Sequence, residues 1–122
     1  MATTSQDIGR YLEQQLRAKG RNAVMTYGEL LEVFNDLPEF TQSWASHPLC
    51  KMFGDLDIED AFHNRPFRTA IVVSKDNGVP GGGFFKMYVE HRDPEAQIRS
   101  DLDRITVHQK ELRAVAAYYG HP

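Results

Sequence analysis

Residues 65–88, RPFRTAIVVSKDNGVPGGGFFKMY, constrain this chain more than any other stretch. Thr69, Ala70, Ile71, Val72 and Val73 form an unbroken, mostly β-branched run. Such side chains fit a pleated, enclosed surface, so residues 69–74 are expected to be an interior strand with Ile71 or Val73 in the core. Asp76-Asn77-Gly78 then predicts a turn, because Asn and Gly tolerate positive φ. Pro80 stiffens the next step, and Gly81, Gly82 and Gly83 follow. Phe84, Phe85, Tyr88 and Val89 return apolar mass to the core on one helical face, which predicts a helix after the loop.

The remaining elements read from local signals. Thr4-Ser5-Gln6-Asp7 is a capping box, and Ile8, Tyr11, Leu12 and Leu16 follow at helical spacing. A helix over 5–19 with Gly20 as its stop is expected. Residues 22–25 read as a short strand. Thr26-Tyr27-Gly28-Glu29 is a second capping box, and Tyr27, Leu30, Leu31 and Phe34 lie on one face of the helix it starts. Phe40, Trp44, Leu49, Met52 and Phe53 suggest helical pieces interrupted at His47-Pro48. Pro48 suits a first helical position and Gly54 a stop, with Asp57 capping a further short helix. Asp93-Pro94-Glu95 predicts the start of a last helix, with a stripe of Ile98, Leu102, Ile105, Leu112, Val115, Ala116 and Tyr119 and room for a break near Thr106. The expected class is α+β: one mostly helical domain with a small sheet.

A length of 122 residues fits one domain, and 41% hydrophobic residues suffice for a core. No apolar run approaches the roughly 18 residues that span a bilayer, and the N-terminus lacks a signal-peptide pattern. Cys50 is the only cysteine, which rules out an internal disulfide and fits a reducing cytoplasm. The net charge of -3 is unevenly spread. Residues 29–60 carry Glu29, Glu32, Asp36, Glu39, Asp55, Asp57, Glu59 and Asp60 against Lys51 alone. Residues 61–92 carry Arg65, Arg68, Lys75, Lys86 and Arg92 against Asp76 and Glu90. A pI near 5.9 argues against strong nonspecific nucleic-acid binding while allowing a small basic face.

Together, MTYGEL at 25–30, HPL at 47–49, RPF at 65–67, AIVVSK at 70–75 and GVPGGGFF at 78–85 resemble a group of small bacterial proteins to which no activity is assigned. Residues 111–119 fit the same pattern, so the resemblance covers most of 22–119. A second likeness is to the DNA-binding domain of alkyltransferases and alkyltransferase-like proteins. It rests on the TYGEL helix start followed by a proline, an arginine, a β-branched pair and a glycine loop. That resemblance implies a winged-helix-like architecture. The family's Pro-Cys/Trp-His-Arg motif is here Pro66-Phe67-Arg68, without His or Cys, so alkyl transfer is not implied.

Candidate chemistry is sparse. Backbone N–H groups of the loop at 78–83 can cradle a phosphate, with Lys75 and Lys86 flanking it. It is neither a Walker motif nor a dinucleotide fingerprint, and a plain turn is the competing reading. His47 and Cys50 have half of a metal site's spacing without a second pair, so no metal or cofactor is expected. A buried cysteine and a partly exposed histidine explain them, and a Cys50–His63 nucleophile pair has no further support. Asp55, Asp57, Glu59 and Asp60 lack the spacing of a calcium loop and read as an acidic surface or a helix cap. Phe84, Phe85 and Tyr88 are read as core before base-stacking platform.

Two functional readings follow, with a small enzyme a distant third. One is a non-enzymatic module, winged-helix-like, that contacts nucleic acid through a basic face of Arg65, Arg68, Lys75, Lys86 and Arg92. The other is an acidic inhibitor or immunity-type protein that meets a basic partner, such as a nuclease, through Glu39, Trp44, Asp55, Asp57, Glu59 and Asp60. No membrane contact is expected from either.

Overall fold

The first helix forms as its cap dictates. In the computed structural model, which describes residues 2–38 and 46–121, the Thr4 hydroxyl accepts from the Asp7 N–H at 3.2 Å. The Asp7 carboxylate accepts the Thr4 N–H at 2.9 Å in return, closing a capping box. Helix α1 runs Ser5–Lys19, buries Ile8, Leu12 and Leu16, and ends at Gly20 with φ 59, a conformation that favours glycine. Thr26 and Glu29 repeat the box at 3.1 and 3.0 Å and start α2, Tyr27–Val33.

Strand β1, Met25–Thr26, lies parallel to β2, Val72–Val73, with Met25 opposite Val72 and Thr26 opposite Val73. The domain is therefore α+β, mostly helical, with a two-stranded parallel sheet. Among the described residues the sheet consists of these two parallel strands.

Three departures from the sequence reading shape the site. First, α3 is one helix, Pro48–Phe62, where two pieces parted by Gly54 were expected. Leu49, Phe53, Leu56, Asp57 and Asp60 keep one buried stripe through the glycine. Packing of that stripe against α1 and the later helices outweighs the roughly 1 kcal/mol that a mid-helix glycine costs relative to Ala. Second, residues 69–74 are not one strand. Arg68–Ile71 is a 3-10 turn that leads into β2. The burial holds all the same, with Ile71 at 0% and Val73 at 5% exposure.

Third, the last helix, α5, is Asp101–Tyr118 rather than a helix from Asp93. Asp93 closes only a local turn, its carboxylate accepting from the Glu95 N–H at 3.2 Å. Ser100 and Asp103 make the true capping box. The buried face of α5 is rotated from the expected stripe: Leu102 and Ile105 are exposed, whereas His108 and Glu111 are buried.

The Asp76-Asn77-Gly78 turn forms as read. Gly78 has φ 72 and donates to the Ser74 carbonyl at 2.9 Å. The Asn77 side chain accepts from the Val79 N–H at 3.2 Å. Past the loop, α4 spans Gly82–His91, a helix as expected, and packs on α3. The core joins Leu12, Leu16, Leu30, Leu49, Phe67, Ile71, Val72 and Val115.

Candidate functional site

The acidic and basic segments meet inside the fold. Asp57 and Asp60 lie three residues apart on the inward stripe of α3, at 2% and 0% exposure. Arg68 is also buried. Its Nε donates to the two Asp60 oxygens at 3.1 and 3.2 Å, and its backbone N–H reaches the same carboxylate at 3.0 Å. The Arg68 Nη2 donates to Glu59 at 3.1 Å. Arg65 grips the same two acids at 3.1 and 3.0 Å. A Cβ on Gly9 of α1 would lie 2.6 Å from Arg68 Nη1, so a glycine there admits the guanidinium.

Arg92 stands 3.5 Å from the Glu111 carboxylate, over the Phe67 ring at 4.7 Å, and donates to the Arg65 carbonyl. Glu111 in turn accepts the Phe67 N–H at 2.8 Å. Arg65, Arg68 and Arg92 are thus held in internal ion pairs and do not form an exposed basic face. Asp57 and Asp60 are likewise not part of an acidic surface. Asp55 and Glu59 do reach the surface, Asp55 paired with Lys51 at 3.4 Å. Glu39 and Trp44 lie outside the described residues. Lys75 and Lys86 are exposed and make no ion pair among the described residues.

His47 is buried and caps α3, its Nδ1 accepting from the Leu49 N–H at 3.1 Å, while Cys50 is half-buried. That reverses the expected exposures. His63 ends α3 thirteen residues beyond Cys50, about 20 Å away at 1.5 Å per residue, so the two are not a catalytic pair. No group of three metal-ligating side chains occurs among the described residues. Phe84, Phe85 and Tyr88 are core residues. Their edge-to-face contacts include Phe84–Phe85 at 5.2 Å and Phe67–Phe84 at 5.8 Å.

A cleft of about 200 Å³ opens between α3, the start of α2 and the glycine loop. Tyr27, Phe53, Phe84 and Met87 wall it, Asp57 and Thr69 lie at its polar end, and Lys86 and Glu90 stand at its rim. The Tyr27 hydroxyl accepts the Gly81 N–H at 2.8 Å and fixes the loop over the cleft. Burial, together with the field of Asp57, pushes the Tyr27 hydroxyl up to about 12.

Asp57 accepts from the Thr69 hydroxyl at 2.6 Å. Burial pushes its carboxyl well above the usual carboxylate range, and the negative fields of Asp60 and Glu111 push the same way. Gly54 also lines the cleft, and a Cβ there would meet nothing within 4 Å. A second, more open recess of about 380 Å³ lies on the other side of Tyr27, bounded by Thr26, Ser74, Lys75 and Gly81 at the C-terminal ends of both strands. That edge of a parallel sheet is where ligands commonly bind.

The cleft was missed in the sequence because the stripe at 49, 53, 56, 57 and 60 crosses Gly54, which read as a stop. Following that spacing would have placed Asp57 inside. No helix among the described residues is long and apolar enough to cross a membrane. No family model matches the chain, and neither a curated protein nor a solved structure matches it.

Proposed function

We propose that the chain is a non-catalytic binding module whose ligand site is the cleft beneath the glycine loop. The observation that carries this reading is a buried acid, Asp57, opening into a cavity with aromatic walls. An enclosed apolar cleft with one convergent polar group is the usual form of a small-molecule site. Binding is preferred to catalysis because His63 stands far from Cys50 and both ring nitrogens of His47 are engaged, Nδ1 by the Leu49 N–H and Nε2 by the Pro38 carbonyl. The test is ligand-observed and amide-shift NMR with a small set of monocyclic aromatic probes. Wild type is expected to show shifts confined to Tyr27, Gly54, Asp57 and Phe84, and Gly54→Leu, which fills the cavity, should abolish them. Shifts scattered over the surface, or unaffected by Gly54→Leu, would remove this reading.

A second reading, contact with nucleic acid, is favoured by the exposure of Lys75 and Lys86 on either side of the loop. With the three arginines engaged internally, only these two lysines of the expected set are free to meet phosphate. Lys75→Ala with Lys86→Ala should weaken oligonucleotide binding and lower its salt slope by about 2, with stability unchanged within about 0.5 kcal/mol. Fluorescence anisotropy at about 50 mM salt, where electrostatic binding is strong, checks this. No binding by wild type at tens of micromolar protein would end the nucleic-acid reading.

A further inference from the structure

The acids around the arginine cluster are not all paired. Glu59, Asp60 and Glu111 each have an arginine within 3.5 Å: Arg65 and Arg68 serve the first two, and Arg92 serves the third. Asp57 has none. Among the described residues its carboxylate accepts one hydrogen bond, from the Thr69 hydroxyl to Oδ1, which leaves Oδ2 for the cleft that Asp57 lines. An asparagine would match this shape without a buried acid. Gly54, one turn before it, keeps the cavity floor open at a position where alanine would favour the helix.

We infer that the cleft binds a small organic cation, an amine or amidine on a compact apolar body, with its positive group against Asp57. This rests on the cleft being a binding site, and adds the chemical class of the ligand. The volume is below that of a drug-sized site, so one ring with one charged group fills it. Tyr27, Phe53 and Phe84 make its wall aromatic, and aromatic rings attract a cation. A metal ion is the poorer occupant, since no group of three metal-ligating side chains placed to hold one occurs among the described residues.

The ligand's charge takes the place of the proton on Asp57. Asp60, Glu111 and Arg68 act on that proton from the interior, with Tyr27 and Cys50 in the cleft wall and Lys86 and Glu90 at the rim. Binding therefore releases a proton and strengthens as pH rises toward the point where Asp57 ionises unaided.

The experiment compares three probes of one shape on the full chain: benzamidine, benzamide and benzoate, followed by amide-shift NMR and calorimetry. Benzamidine is expected to bind in the cleft at least about tenfold more tightly than benzamide, and benzoate not at all. Asp57→Asn should erase the advantage of benzamidine. At the exposed rim, Lys86→Glu should strengthen benzamidine binding several-fold and Glu90→Lys should weaken it, which keeps the test decisive if Asp57→Asn folds poorly. Benzamide binding as tightly as benzamidine, or an unchanged benzamidine affinity in the Asp57 and rim variants, would overturn the cation while leaving the cleft reading intact. No shift of any cleft residue with any probe at about 10 mM would overturn both, since even weak specific binding shows in the millimolar range.

Discussion

Asp60 and Asp57 share a helix face, a depth and a neighbouring turn, yet their surroundings differ. Asp60 is gripped by two guanidinium groups and a backbone N–H. Asp57, one turn earlier, holds a single hydroxyl and borders a cavity. The first arrangement ties α3 to the chain at residues 65–68 and, through Gly9, to α1. The second leaves a carboxyl with no ion pair among the described residues. Buried acids in this protein therefore stand in two settings: the paired ones fasten elements together, and the one without an ion pair borders the cleft.

Breaking the paired side should have the largest effect. Arg68→Met removes the cation nearest to Asp60 and should destabilise the fold by about 3–5 kcal/mol, the usual consequence of leaving a buried charge alone. Urea denaturation measures it, and a loss below about 1 kcal/mol would show that Arg65 alone suffices. The apolar part of the same turn gives a scale for comparison: Ile71→Ala should cost about 2–5 kcal/mol through the cavity it leaves.

The unpaired side should respond in the opposite direction. Asp57→Asn should stabilise the protein at neutral pH, by on the order of 1 kcal/mol for relief of an unmatched buried group. The sign of its pH dependence follows from burial. Asp57 in the folded chain holds its proton well above the ordinary carboxylate value of 3.8. Its stabilising contribution is therefore fully present below that ordinary value and is lost as pH rises through the raised one. The advantage of Asp57→Asn should shrink as pH falls toward 4 in thermal melts, and a constant advantage would contradict the assignment. The smallest effect is at Gly54. Gly54→Ala should raise stability by roughly 1 kcal/mol, because its Cβ enters open space on a helix, while beginning to crowd the cleft.

His108 gives a second pH limb of opposite sign. It is buried at 2% exposure, with Nε2 2.8 Å from the Ala70 carbonyl and Nδ1 unpartnered. Burial holds its pKa below the ordinary value of 6.5, so its contribution to stability is present above 6.5 and lost as pH falls through the lowered value.

Elements governed by local chemistry were legible in the sequence. The capping boxes at Thr4 and Thr26, Pro48 at a helix start, the Asn77-Gly78 turn and the helix after the glycine loop all form where the residues place them. What failed was set by partners far away in the chain. Gly54 reads as a stop until the buried stripe on either side of it is packed against the other helices. Arg65, Arg68 and Arg92 read as a basic face until Asp60 and Glu111 arrive from 5 to 19 residues along the sequence. The cap of α5 was misplaced because Asp93-Pro94 and Ser100 with Asp103 are competing start signals, and only the second has both reciprocal hydrogen bonds. Charge tallies by segment therefore misled: Arg65 and Arg68 of one segment are engaged by Glu59 and Asp60 of the other, and Arg92 by Glu111.

Asp57 is expected to keep its proton until a cation enters the cleft. Carbonyl-detected carbon-13 NMR of the aspartate side chains, titrated with and without saturating benzamidine, reads this directly, with the resonance assigned by its absence in Asp57→Asn. The Asp57 carboxyl is expected to titrate well above the ordinary carboxylate range in the free protein and to shift downward when benzamidine binds. An Asp57 that titrates at an ordinary value, or one whose titration is unmoved by bound benzamidine, would contradict this.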